Sequence, residues 1–169
     1  MSAHFYLDID GVLVTEPTPP IPNDFTARDI RVGDGRFVPV AYSEAVISTL
    51  AEVLAAGAPR LTTVSSWEGD APYLFRAIGL PEVPWLDLSG QPGASIFERK
   101  HSAVLEHASD SPPRRIVWID DHLPKSEEER RELAESLPTE DSLLLSPIAR
   151  ECLTPGHLGL VADFLHSRS

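Results

Sequence analysis

Apolar residues along the chain fall into short continuous runs and into helical repeats, and the two patterns alternate. Residues 5–13 are rich in aromatic and β-branched side chains and predict a buried strand, which Asp8 and Asp10 interrupt near its end. Residues 60–67 and 115–119 predict two more strands, and residues 142–146 a short one. Because strands buried on both faces are apolar throughout, these runs indicate a parallel sheet.

Between these runs, apolar residues recur at helical spacing and capping residues mark where each helix begins. Proline in the first turn and glycine after the last turn provide further boundaries. We expect Gly57 to stop the first helix. The predicted helices are one from Ser43 to Gly57, one from Asp70 to Ile78, one over residues 96–107, one from Ser126 to Ser136 and one that starts at Thr154.

Three segments do not fit the alternation. Residues 15–22 contain four prolines and predict an extended loop, and residues 29–40 predict a hairpin that turns at residues 33–35. Residues 81–93 predict mostly loop, with a short strand at 83–88. We therefore expect one α/β domain over residues 1–169, with a three-layer Rossmann-like parallel sheet, helices on both faces and an insertion at about 15–42 that forms at most a small cap.

Composition and charge narrow the range of functions. The chain has 169 residues, of which 42% are hydrophobic and 24% charged, as in folded soluble proteins. Its formal net charge of -12 disfavours nucleic acid and anionic membranes as partners. Cys152 is the only cysteine, so neither an internal disulfide nor a thiolate zinc site is possible. No signal peptide or long apolar run is evident, and we expect a cytoplasmic location.

Polar side chains follow three of the predicted strands. The carboxyl ends of parallel strands share one edge of the sheet, where ligands bind. Clustered carboxylates repel one another unless a cation compensates, and hard oxygen ligands favour Mg²⁺, which commonly takes phosphate oxygens as further ligands. The pattern therefore points to phosphoryl chemistry. The residues are Asp8 and Asp10 after the first strand, Ser65 and Ser66 after the second, and Asp120 and Asp121 after residues 115–119.

The order of these motifs resembles the haloacid dehalogenase-like (HAD) hydrolase superfamily. The apolar strand before Asp8, Asp10 and Gly11 is similar to the first motif of that superfamily, and residues 61–65 to its second. Lys100 matches the third motif, and residues 116–121 match the fourth. Three details resemble a narrower group of small HAD-like proteins: Ser65-Ser66-Trp67, Trp118-Ile119-Asp120-Asp121 and Leu153-Thr154-Pro155.

The resemblance implies a Mg²⁺-dependent phosphatase with a covalent intermediate. Asp8 would be the nucleophile and Asp10 the general acid and base, a residue that dehalogenases lack. Lys100 would balance the negative charge. Asp8, the backbone carbonyl of Asp10, and Asp120 would hold Mg²⁺, with Asp121 a direct or water-mediated ligand. Ser65 would bind the phosphoryl group, helped by backbone N–H groups near Gly11. The short insertions imply an open site for a small phosphorylated substrate or a phosphate on a larger partner.

Several alternatives remain open at the level of sequence. Ser66 could replace Ser65, although Ser65 is the first polar residue after the apolar run. His122 could reach the site, although we expect a structural or neutral role, and Trp67 and Trp118 are expected to be packing residues. The chain could instead be a non-catalytic metal-binding or regulatory domain. It could also be a nucleic-acid-end phosphatase, which would need a basic groove built from Arg28, Arg31, Arg36 or Arg76.

Overall fold

A computed structural model describes residues 2–167. Five α-helices, one short 3₁₀ helix (Glu68–Asp70) and six strands are present in this part of the chain. Apart from the strand predicted at residues 83–88, the order of strands and α-helices agrees with the sequence pattern. The elements are β1 (Ala3–Leu7), β2 (Phe25–Arg31), β3 (Phe37–Ser43), α1 (Glu44–Gly57), β4 (Arg60–Thr63), α2 (Ala71–Ile78), α3 (Ile96–Asp110), β5 (Arg115–Ile119), α4 (Glu127–Ser136), β6 (Asp141–Leu145) and α5 (Pro155–His166).

Four strands form a parallel sheet in the order β4-β1-β5-β6. Side chains alternate between its faces: Phe5 and Leu7 pack with α1, α2 and α5, whereas Tyr6 and Trp118 pack with α3 and α4. Both faces are therefore covered, which confirms the predicted α/β fold with helices on both sides of a parallel sheet. The register places Leu7 between Thr63 and Ile119, so β1, β4 and β5 end at one edge.

The predicted hairpin is present and is longer than expected. β2 and β3 form a two-stranded antiparallel ribbon, and Thr15 in the proline-rich segment bridges to Ala41 of β3. Hydrogen bonds hold the ribbon on α2: the Arg28 guanidinium donates to the Ala77 carbonyl at 2.7 Å, and the Gly33 N–H donates to the Asp70 carboxylate at 3.2 Å. The ribbon is thus fixed beside the sheet edge where the polar residues gather.

Three local predictions differ from the structure. α1 ends at Gly57 as predicted, but Ala58 and not Gly57 adopts the left-handed conformation (φ 41°), and the Ala58 N–H donates to the Leu54 carbonyl. The Asp70 side chain does not cap α2, because its carboxylate instead binds the ribbon. Residues 83–88 form one bridge to Thr63 and no strand, since Pro84 has no N–H to extend a ladder. No helix within residues 2–167 combines the length and apolarity needed to cross a membrane.

Candidate metal centre and adjoining cleft

The backbone of the sheet fixes two carboxylates side by side. The sheet hydrogen bonding continues one residue beyond β1 and β5, with the Asp8 N–H donating to the Ile119 carbonyl at 3.0 Å and the Asp120 N–H to the Leu145 carbonyl at 3.1 Å. The sheet therefore holds the backbones of Asp8 and Asp120 in place as it holds those of its strands, and the two residues follow neighbouring strands. Both are buried, as expected for groups at the centre of a sheet edge.

Lys100 lies between these two carboxylates. Its Nζ atom is 2.6 Å from Asp8 Oδ2 and 2.8 Å from Asp120 Oδ2, and all three side chains are at least 97% buried. Lys100 belongs to the second turn of α3, whose start is fixed by a capping box between Ser95 and Glu98. Lys100, which matches the third motif in the sequence, thus contacts Asp8, the predicted nucleophile, directly.

Electrostatics at this cluster leave an excess of negative charge. Burial and the neighbouring Asp120 carboxylate raise the pKa of Asp8 to about 7, although the Lys100 ammonium acts in the opposite direction. Burial also opposes the charge on Lys100, but Asp8 and Asp120 outweigh it and raise the pKa of the ammonium. One ammonium therefore does not compensate the carboxylates at this edge, and an additional cation would be favoured.

Four side chains offer ligand atoms that all lie within 4.8 Å of one another: Asp8, Asp120, Asp121 and His122. Asp8, Asp120 and Asp121 were predicted as metal ligands from the sequence, whereas His122 was expected to have a structural or neutral role. The Asp10 carboxylate is not part of this group, so only its backbone carbonyl remains as the predicted ligand. Three carboxylates and one imidazole are a donor set that fits a divalent cation.

Gly11 allows the loop after β1 to approach Asp121. Its φ of +71° is a conformation that side chains disfavour, and a Cβ atom at this position would lie 2.7 Å from Asp121 Oδ2. The Gly11 N–H donates to the Val14 carbonyl at 2.8 Å. This N–H is therefore engaged within the loop, and Gly11 has a steric function. The predicted phosphoryl contacts from backbone N–H groups near Gly11 would come from its neighbours.

Asp10 extends from the same loop toward solvent and is oriented by Trp67. The indole Nε1 donates to Asp10 Oδ2 at 3.0 Å. Partial burial raises the pKa of Asp10, and the Trp67 hydrogen bond and the Lys100 charge moderate this increase. Trp67 was expected to be a packing residue, and its contact with the predicted acid could not be read from the strand pattern because it lies 57 residues away in sequence.

The two serines after β4 occupy different environments. Ser65 is buried and its Oγ atom has no hydrogen-bond partner in the described chain, whereas Ser66 is exposed. The Val64 N–H donates to the Leu7 carbonyl, which places Ser65 beside the segment that carries Asp8. A buried hydroxyl without a partner is costly and is commonly found where a ligand binds. The environment of Ser65 therefore favours it over Ser66 as a phosphoryl contact.

A cleft of about 790 Å³ opens beside the carboxylates. The proline-rich segment and β3 form one wall, so the insertion shapes the space next to the site even though it is too small to be a separate cap. The charged residues that line the cleft include Glu16 and Arg150. The whole cleft is lined by residues 10, 11, 15–18, 20–22, 38–40, 121, 122, 149 and 150.

The arginines that a nucleic-acid-end phosphatase would need do not line this cleft. Arg28 donates to the Ala77 carbonyl, Arg36 pairs with aspartates on the ribbon and α2, and Arg76 pairs with Glu82. Three of the four candidate arginines are thus engaged in fixing the ribbon or α2. This arrangement offers no support for a basic groove beside Asp8.

Comparison with known protein families, curated proteins and solved structures finds no match for this chain. The arrangement that carries most chemical information is the buried pair Asp8 and Asp120 with Lys100 between them. Asp121 and His122 lie beside this pair and line the cleft.

Proposed function

We propose that the chain is a HAD-like phosphomonoesterase that depends on a divalent cation, with Mg²⁺ as the ion expected from the carboxylate ligands. The observation that carries this proposal is the contact of Lys100 with both Asp8 and Asp120 at the carboxyl end of the sheet. Lys100 favours the ionised form of Asp8, and a carboxylate must be ionised to act as a nucleophile.

In the first step, an Asp8 carboxylate oxygen attacks phosphorus while the bond from phosphorus to the leaving oxygen breaks. Asp10 gives its proton to that oxygen, so the alcohol leaves as a neutral molecule. The raised pKa of Asp10 suits this role, because the carboxyl keeps its proton to a higher pH than an ordinary aspartic acid. Trp67 keeps the Asp10 side chain in place, at the border of the cleft.

In the second step, Asp10 is a carboxylate and takes a proton from water, and the resulting hydroxide attacks phosphorus. The bond between phosphorus and the Asp8 oxygen breaks, which regenerates Asp8 and releases inorganic phosphate. Ser65 donates its otherwise unpartnered hydroxyl to the phosphoryl group. A bound divalent cation would neutralise phosphoryl and carboxylate charge, and Asp8, Asp120 and Asp121 are the carboxylates that would hold it.

The cleft offers space for the remainder of the proposed substrate. Asp10 and Gly11 border it, so the leaving group protonated by Asp10 would extend between the proline-rich segment and β3. Its volume of about 790 Å³ is within the range of small-molecule sites. A phosphorylated small molecule with a partly apolar leaving group fits this space better than a phosphate ion alone.

The test is hydrolysis of an aryl phosphate with Mg²⁺ and with chelator, by the wild type, Asp8→Asn and the matched surface variant Asp29→Asn. We expect turnover only with the cation, a loss of at least about a thousandfold in Asp8→Asn, and no change in Asp29→Asn. Acid quenching followed by mass spectrometry should show phosphate on the peptide that contains Asp8. An Asp8→Asn enzyme with wild-type turnover would refute the mechanism. A wild type that is stabilised by Mg²⁺ but inactive toward a panel of phosphomonoesters would support the non-catalytic alternative.

A further inference from the structure

The loop after β5 brings a histidine to the carboxylate cluster. The backbone N–H of His122 donates to Asp120 Oδ1 at 2.9 Å, which holds the residue against the end of β5. The His122 ring nitrogen Nδ1 lies 2.7 Å from Asp121 Oδ1 and 3.4 Å from Asp120 Oδ1. The imidazole is thus held at the same edge of the cluster as two of its carboxylates.

These distances fit ligands of a single ion. Two ligand atoms about 2.1 Å from an octahedral ion and at right angles to each other are about 3.0 Å apart. The separations of His122 Nδ1 from the two carboxylate oxygens, 2.7 and 3.4 Å, lie on either side of this value.

A hydrogen bond between the side chains does not account for the short contact. Asp121 Oδ1 is buried and has no hydrogen-bond partner in the described chain, although His122 Nδ1 is 2.7 Å away. The ring N–H direction is therefore not aligned with this oxygen. Two electronegative atoms this close, without an aligned proton between them, are well placed to share a cation. The buried, unpartnered Ser65 hydroxyl at the same edge also indicates that a ligand binds here.

We propose that His122 is a fourth protein ligand of the cation and that it gives the site a preference for a first-row transition ion over Mg²⁺. This inference rests on the metal site of the proposed function. Mg²⁺ prefers oxygen ligands, whereas imidazole nitrogen suits first-row transition ions, so replacing one oxygen by His122 Nδ1 favours an ion of that series. Mn²⁺ also accepts carboxylate oxygens and is the paramagnetic probe of this preference. The imidazole is about half exposed and can contact an ion without rearrangement of the core.

The experiment measures the binding of Mn²⁺ and of Mg²⁺ by calorimetry to the wild type, His122→Ala and His166→Ala. His166 is an exposed histidine of α5 and is the matched control. Electron spin-echo spectroscopy of the Mn²⁺ protein reports directly whether nitrogen is bound to the ion. Melting temperatures without metal verify that each variant is folded, and Asp120→Asn serves as the variant that lacks a carboxylate ligand.

We expect the wild type to bind Mn²⁺ at least about tenfold more tightly than Mg²⁺, with a nitrogen signal. His122→Ala should lose at least about tenfold in Mn²⁺ affinity and much less in Mg²⁺ affinity, and should lose the nitrogen signal. Unchanged Mn²⁺ binding in His122→Ala, or an equal loss for both ions, would overturn the ligand role while leaving the proposed phosphatase intact. Absence of binding of either ion to the wild type would remove both proposals together.

Discussion

Replacement of Lys100 by methionine tests the electrostatic basis of the site. Methionine keeps a long unbranched side chain but removes the ammonium that contacts Asp8 Oδ2 at 2.6 Å and Asp120 Oδ2 at 2.8 Å. The two buried carboxylates would then face each other without a cation. Breaking a buried ion pair by removing one partner typically costs about 3–5 kcal/mol, and we expect the free energy of unfolding to fall by about this amount at alkaline pH.

The loss should depend on pH in a defined direction. The pKa of Asp8 in the folded protein, about 7, lies above the ordinary value of 3.8 that applies to the unfolded chain. The stability that Asp8 contributes is therefore present below the unfolded pKa and is lost as the pH rises through the folded pKa. Without Lys100 the folded pKa rises further, so the variant should lose most stability above pH 7 and recover part of it in mild acid.

The assay is urea unfolding in chelator at about pH 8.5 and about pH 5.5, where Asp8 is mainly ionised and mainly protonated, respectively. The control is Lys125→Met, which removes the chain's other lysine, an exposed residue that donates to the Asp121 carbonyl at 2.9 Å. We expect the control to lose about 1 kcal/mol or less at both pH values. A loss below about 1 kcal/mol in Lys100→Met, or an equal loss at both pH values, would refute the reasoning.

Three further predictions concern Gly11, Trp67 and His4. Gly11→Ala should lower the free energy of unfolding by about 1–3 kcal/mol and weaken metal binding. The reason is that a Cβ atom would lie 2.7 Å from Asp121 Oδ2, on a residue whose φ is +71°. Thermal unfolding measures the loss of stability, and calorimetry measures metal binding. Trp67→Phe keeps an aromatic ring but removes a hydrogen bond that lowers the pKa of Asp10. The limb of the pH–rate profile that reports Asp10 should therefore move to higher pH. An unmoved limb would contradict the role of Asp10 as general acid. Burial lowers the pKa of His4, so the stability from its neutral form is present above pH 6.5 and is lost as the pH falls through the folded pKa. The free energy of unfolding measured across this range should show the decline. His4→Gln should make the dependence of that free energy on pH less steep.

The sequence predicted the fold because its signals are local. Continuous apolar runs gave β1, β4 and β5, and Ser43 begins α1 as its N-cap, with Val46 donating to its side chain. The boundaries of α2 also agree with the sequence, but the predicted cap contact of Asp70 fails because of a longer-range contact. Asp70 matches an N-cap in sequence, but Gly33 on the ribbon donates to its carboxylate, which a local pattern does not reveal.

The carboxylates of the site were predictable for a similar reason, because strand order places the residues after β1 and β5 together. The side chains around them were not. His122 shares no metal-binding spacing with other histidines, and its place in the cluster depends on the turn after β5. Trp67 reaches Asp10 because β4 and β1 are neighbours, and its indole N–H is the functional group that packing arguments overlook.

The charges at the sheet edge have a consequence for the order of binding. Asp8 and Asp120 share the Lys100 ammonium, and the Asp121 carboxylate lies beside them, in a chain whose formal net charge is -12. A phosphate dianion approaching these carboxylates would meet repulsion of about 4 kcal/mol for each pair of like unit charges 4 Å apart at an effective dielectric constant of about 20. For the proposed phosphatase we therefore expect the cation to bind before the substrate, because it would convert a repulsive edge into one that attracts phosphoryl oxygens. The KM of an aryl phosphate should accordingly fall as cation concentration rises, whereas the affinity for the cation should depend little on the presence of the alcohol product.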